Sequence, residues 1–241
     1  MNGVKLACRY SFKPNELGLC GPKNNLDLFY HIATKKPDRK EIKELLSKFE
    51  AAFPYYKLIA KANKIKDCFD YYVVEAYWIG NELLEKVKDN DIKHMILYDF
   101  GKPGLLNKKI TTCLANKLPK DIKPHHSFHV FYMGSITRIV PKNISTFNAC
   151  CISWGKIKKI LDERLLVRLP KLVQMKEKIT IKGWQDKQII YKINGKGFIN
   201  NPRIGDYVSV HWGWACDKLE EEQLKRLQYW TRRTLSQIAP E

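Results

Sequence analysis

Between residues 156 and 211 the chain breaks into short β-branched runs separated by turn chemistry, and this stretch limits the fold most. Lys156–Leu161, Leu165–Leu169, Lys178–Lys182, Gln188–Ile193 and Asp206–His211 are each rich in Ile, Val, Leu or Tyr. Asp162-Glu163, Asn194-Gly195 and Asn201-Pro202 bound them, as strands and their turns require. Five strands of this length predict a small antiparallel barrel. After His211 the apolar period changes to three or four residues, through Leu219, Leu224, Leu227, Trp230 and Leu235. Acidic residues come early in this segment and arginines late, which suits the helix dipole. A terminal helix is therefore expected to close the barrel.

The residues before 146 read as helices. Pro37-Asp38 opens an amphipathic segment with Ile42, Leu45, Leu46, Phe49 and Ala52 on one face, and Pro54 opens the next. Further helical segments are expected over Asp27–Ala33, Tyr71–Val87, Met95–Asp99 and Leu105–Lys117, whereas Arg9–Pro22, dense in turn formers, reads as a short helical turn or tight loop. The fold class is accordingly α+β: an N-terminal α-helical domain over 1–145, then a small OB-like antiparallel β-barrel with a C-terminal helix over 146–241. A chain of 241 residues is long enough for two such domains.

The seven cysteines are odd in number, irregularly spaced and without a Cys-x-x-Cys pair, which argues against a disulfide framework or a zinc knuckle. Cys8, Cys20, Cys68, Cys113 and Cys151 read as small buried hydrophobes, although Cys20, between Leu19 and Gly21, is placed to present a thiol. No run reaches the ~20 apolar residues of a membrane span, and Met1–Lys5 lacks a signal-peptide layout, so a cytoplasmic location and no membrane partner are expected. The net charge of +18 raises a nucleic-acid reading. It is spread along the chain, with 18 basic and 10 acidic side chains from Thr146 onward.

Two places carry candidate chemistry. The first sets a thiol, Cys150, at a strand entrance and an imidazole, His211, at a strand exit. The second is the run Pro124–Phe131, where His125, His126 and His129 fall within five residues. On a helix His125 and His129 lie one turn apart, ~6 Å between Cβ atoms; on a strand they lie about 13 Å apart, too far to share an ion. The neighbouring Val130-Phe131-Tyr132-Met133 favours strand or irregular geometry, leaving His126 to pair with a residue from elsewhere. Glu75, within an apolar and aromatic stripe, is a further candidate acid, base or ligand. Ile136, Ile139, Val140 and Ile144 suggest a packed passage between the two domains, which would let Cys150 and the histidines face one another. No phosphate-binding glycine loop is present, so no nucleotide cofactor is expected.

The Cys-x-x-x-x-Gly-Lys opening of Cys150–Lys156, the run Gly205-Asp206-Tyr207-Val208-Ser209-Val210-His211-Trp212-Gly213-Trp214-Ala215 and the terminal helix together resemble the HypC/HupF hydrogenase assembly chaperones, over about residues 148–238. The resemblance implies that Cys150 and His211 handle the iron centre of [NiFe] hydrogenase, carried as a cyanide- and carbonyl-ligated fragment. Gly155, Gly205, Asp206, Gly213 and Trp214 are its supporting motif. It implies a non-catalytic chaperone docking on a HypD-like iron–sulfur scaffold protein, on the hydrogenase large-subunit precursor, or on both. Two features set this chain apart: a long domain precedes Cys150, and Trp154 stands where a proline is usual. Residues 1–145 resemble a microbial family of unknown function, which implies no activity. Two other functions suit the same residues. One is single-stranded nucleic-acid binding by an OB-like barrel, with Trp184, Tyr191, Trp212 and Trp214 stacking on bases; the other is a metalloenzyme centred on His125, His126 and His129.

Overall fold

A computed structural model describes residues 2–22, 39–134, 136, 140–176 and 178–238. The chain is α+β, with helices at both ends. Helix α1 (Gly3–Glu16) is capped by the Asn2 side chain, which accepts from the Lys5 amide, and it is a full helix where only a short helical turn or tight loop was expected from Arg9 onward. Pro14 sits in its last turn, so the break its ring imposes falls where the helix ends anyway. Helices α2 (Arg39–Leu46) and α3 (Phe53–Ala62) form where expected, but α2 ends before Phe49 and Ala52 of its expected face, which are buried in the turns that follow. The segment expected over Asp27–Ala33, with His31, lies outside the described residues.

Helix α4 (Tyr71–Trp78) stops sooner than its apolar pattern predicts. Gly80 has φ +90°, and a Cβ there would stand 2.0 Å from the Trp230 ring; the chain turns to let the terminal helix approach. A 3-10 turn (Glu82–Lys86), α5 (Asp89–His94), a π turn (Met95–Asp99) and α6 (Lys108–Asn116) complete the first run of helices.

The histidine run is helical. His125 caps α7 (His126–Phe128), which continues as a π turn over His129–Met133. The expected strand fails because Pro124-His125 sets an extended entry and a helix N-cap, and helical hydrogen bonding to His125 then prevails over the β-branched and aromatic composition. Helix α8 (Ile144–Cys150) leads into the sheet.

Five strands form the main sheet: β1 (Ser153–Ile160), β2 (Arg164–Met175), β3 (Lys178–Ile190), β6 (Tyr207–His211) and β7 (Trp214–Leu219). They pair in the order β1-β2-β3-β7-β6, and β6 pairs back onto β1. All pairings are antiparallel except β3 with β7, which meet in parallel at Ile190 and Trp214. The segments expected at Lys178–Lys182 and Gln188–Ile193 are one long strand as far as Ile190. Gly183, at φ +79°, and a register shift between Pro170 and Leu172 absorb the irregularity between them. The remaining Lys192-Ile193 (β4) pairs with Lys196-Gly197 (β5) across the Asn194-Gly195 turn. Strand β7 was not foreseen. Trp212 and Gly213, both with positive φ, reverse the chain after β6, and the hairpin adds a strand before α9 (Glu221–Gln237).

One apolar cluster spans both halves of the chain, from Tyr10 and Trp78 to Trp154, Trp214, Leu227 and Trp230. Polar ties reinforce it. Arg9 pairs with Asp217, the Tyr10 hydroxyl lies 2.8 Å from Ser209 Oγ, and Arg233 of α9 reaches Glu85 at 2.8 Å and Asp121 at 2.5 Å. Among the described residues no helix is long and apolar enough to cross a membrane.

Candidate metal centre

The ends of three elements converge on one point. His126 opens α7, Cys150 closes α8 and His211 closes β6. One ligand atom from each lies within 4.8 Å of the other two. The two candidate sites of the sequence therefore meet: the Cys150–His211 pair and the middle histidine of the cluster face each other where the helices pack on the sheet.

The histidines are prepared as donors. His211 Nδ1 lies 2.8 Å from the Tyr10 carbonyl oxygen, and a carbonyl only accepts, so the proton sits on Nδ1 and Nε2 keeps its lone pair. That Nε2 is buried with no hydrogen-bond partner, as is His126 Nδ1. Buried polar atoms are usually satisfied, so each of these nitrogens has a lone pair or proton available to a ligand. Burial lowers both histidines, His211 to about 4 and His126 further, with His211 also acting on His126. Both are thus neutral imidazoles, the form that binds metals.

Cys150 is partly buried. Burial and the neighbouring Cys20 thiol push it up to about 12, opposed by a hydrogen bond from the Trp212 side chain. A cation that replaced its proton would supply what the surroundings lack. Cys151, next in sequence, is buried among Phe147, Leu172 and Leu235 and is not part of the three-donor group.

These three donors open onto a cavity with about 80 Å³ of water-sized space. Its walls are mainly apolar and aromatic, with Phe49, Trp78, Val130 and Phe147 among them, and Cys20, His129, Glu50 and Lys142 supply polar groups. The Trp78 ring lies 4.7 Å from the His126 ring and 5.7 Å from that of His211, fixing both planes. Its position at the end of an apolar helical stripe gave no hint of this role.

The other expected site residues stand apart. His125 Nδ1 lies 2.7 Å from Ser127 Oγ, which donates to Thr234 of α9 at 2.7 Å; it holds a helix start. Its Nε2 is also unpartnered but belongs to no three-donor group among the described residues. His129 lines the cavity, its Nδ1 3.1 Å from the Tyr55 hydroxyl. Among the described residues the three cluster histidines form no common donor group: His125 turns to Ser127 and His129 to Tyr55, and His126 joins Cys150 and His211. Glu75 is buried but lies away from the cavity. It receives Asn81 Nδ2 at 3.1 Å and Gln223 Nε2 at 2.9 Å and faces Arg226 at 3.5 Å, so it anchors α9.

The supporting motif is structural. A Cβ on Gly155 would meet Val167 and Leu169 side chains at 2.4 and 2.5 Å; Gly205, at φ +97°, and Gly213 turn the chain. Asp206 accepts from the Arg203 amide at 2.9 Å and pairs with Lys218 at 2.9 Å, and Trp214 is 2% exposed in the core. Of the aromatics expected to stack on bases, Tyr191 and Trp214 are buried and Trp212 lines the cavity; Trp184 is 55% exposed. Cys113 is exposed rather than buried.

Compared with known proteins, the chain matches the family of unknown function DUF6390 over residues 1–241, and it belongs to that family. Neither the curated proteins nor the solved structures give a match.

Proposed function

We propose that this member of the DUF6390 family is a metal-binding assembly protein that takes iron on Cys150, His211 and His126. The observation that carries the reading is the meeting of one ligand atom each from His126, Cys150 and His211 within 4.8 Å. One thiolate with two imidazoles suits a borderline transition metal, and three protein donors leave a position open toward the cavity, as a carrier that must release its cargo needs.

The cargo and setting follow from the likeness to HypC/HupF chaperones. The five strands and α9 are read as an OB-like barrel of that kind, and the cargo as the cyanide- and carbonyl-ligated iron of [NiFe] hydrogenase, handled in the cytoplasm. Its partners would be a HypD-like iron–sulfur scaffold and the large-subunit precursor. The helical part then does more than dock: it contributes His126, closes the site from above and lines the cavity with apolar walls around small diatomic ligands. Cys150, placed at a helix end behind a packed domain, is held rather than presented on a free chain end. The nucleic-acid reading has weaker support, since stacking on single strands wants several exposed aromatics and Trp184 alone among those four is largely exposed.

Protein purified without oxygen from cells expressing the hydrogenase assembly machinery tests this. The reading predicts iron with infrared bands of bound carbonyl and cyanide in the wild type, both absent in Cys150→Ala. Wild-type protein free of bands and iron, with the partners shown to be present, would remove the carrier role.

A further inference from the structure

Cys20 is a second thiol on the same cavity. It lies in the turn after α1, and this turn is built to hold it in place. Asn15, on α1, donates through Nδ2 to the carbonyls of Cys20 and Pro22, each at 2.9 Å. The same helix supplies the Tyr10 carbonyl that orients His211. Burial, and then the Glu50 carboxylate, push the Cys20 thiol up to about 12, opposed by the backbone amides of Ala51 and Gly21. Amide donors around a sulfur are a common outer shell of metal thiolates, tuning the ligand they surround.

We propose that Cys20 is a fourth, displaceable ligand, closing a Cys2His2 centre with His126, Cys150 and His211 when no small ligand or partner occupies the open position. The inference rests on the proposed three-donor site and states what fills its vacant corner. Cys20 stands outside the three-donor group, so closure takes a rotation of its side chain toward the other donors while Asn15 holds the backbone of its turn. In that step the Cys20 sulfur loses its proton to solvent and forms one bond to the metal; no electron is transferred. Two thiolates and two imidazoles make the tetrahedral set that retains a metal, and loss of one thiolate gives the open set that exchanges it. Retention and delivery would thus be two states of one site, switched by whatever displaces Cys20.

Cobalt(II) titrated alone into metal-free full-length protein without oxygen reads the number of thiolates, since each contributes to the sulfur-to-cobalt charge-transfer band. The wild type is expected to bind one ion with a two-thiolate band, and Cys20→Ser to keep the stoichiometry while the band per cobalt falls roughly twofold, one of two sulfurs being lost. An identical band in wild type and Cys20→Ser overturns the proposal while leaving the three-donor site intact. Failure of the wild type to bind cobalt overturns that site and this proposal with it. X-ray absorption of the zinc-loaded wild type needs no variant: two sulfurs are expected, and one would refute the fourth ligand.

Discussion

His211 Nδ1 donates to the backbone carbonyl of Tyr10 across 2.8 Å and some two hundred residues of chain. This bond fixes the tautomer, because it commits the proton to the nitrogen facing α1 and leaves Nε2 with its lone pair. It also explains why a donor at the end of a strand depends on the first helix of the chain. Disturbing α1 should therefore loosen the site without touching a donor.

Removal of single donors separates site from scaffold. His126→Ala and His211→Ala should each lower metal content, by elemental analysis, from one ion per chain to a small fraction. His125→Ala should keep the metal but lose about 1 kcal/mol by urea denaturation, as loss of a helix cap does. Metal loss in His125→Ala with retention in His126→Ala would reverse the assignment.

Glu75→Ala should leave the metal content unchanged. It strands Gln223 Nε2 and Asn81 Nδ2 in a buried position, at a cost of about 1–3 kcal/mol. A drop in metal stoichiometry without loss of stability would instead place Glu75 at the centre.

Acid should destabilise the metal-free protein through its buried histidines. His125 is lowered to about 3, His129 and His211 to about 4, and His126 further, all by burial first. The folded state thus binds fewer protons than the unfolded chain, whose histidines titrate near 6.5. The stability they confer is complete above pH 6.5 and is lost as pH falls toward 4, at about 1.4 kcal/mol per pH unit for each histidine. A urea midpoint that stays level between pH 7 and 4.5 would contradict this.

Gly155→Ala should cost about 1–3 kcal/mol, because its methyl would overlap Val167 and Leu169 in a packed interior. The change lies one turn of chain from Cys150, so metal binding in the fraction that folds should persist. An unaltered midpoint would show that β1 and β2 can move apart.

Much of the scaffold was legible in the sequence where a periodic pattern met a clear stop. Helices α2 and α3 follow from Ile42, Leu45, Leu46 and the proline at 54, and the Asn194-Gly195 turn from its dipeptide. Helix α1 was hidden because Pro14 signals a break wherever it falls, and its place in a last turn depends on where the helix begins. Strand β7 was hidden because Trp214–Leu219 contains Asp217 and Lys218; Asp217 is tolerated there by pairing with Arg9 from α1, a partner no local window contains. The sequence brought Cys150 and His211 forward together, and their ligand atoms lie within 4.8 Å of each other. That His126, rather than His125 or His129, joins them depends on the direction in which α7 packs, which is a property of the assembled interface.

The most direct test is metal stoichiometry on the full-length wild type, His126→Ala and Cys150→Ala proteins, purified side by side without oxygen and analysed by elemental analysis with X-ray absorption at the metal edge. The account predicts one transition-metal ion per wild-type chain with both nitrogen and sulfur neighbours, and near-complete loss in both variants. Wild-type protein that takes up no ion when metal is supplied, or an ion that survives both substitutions, would contradict it.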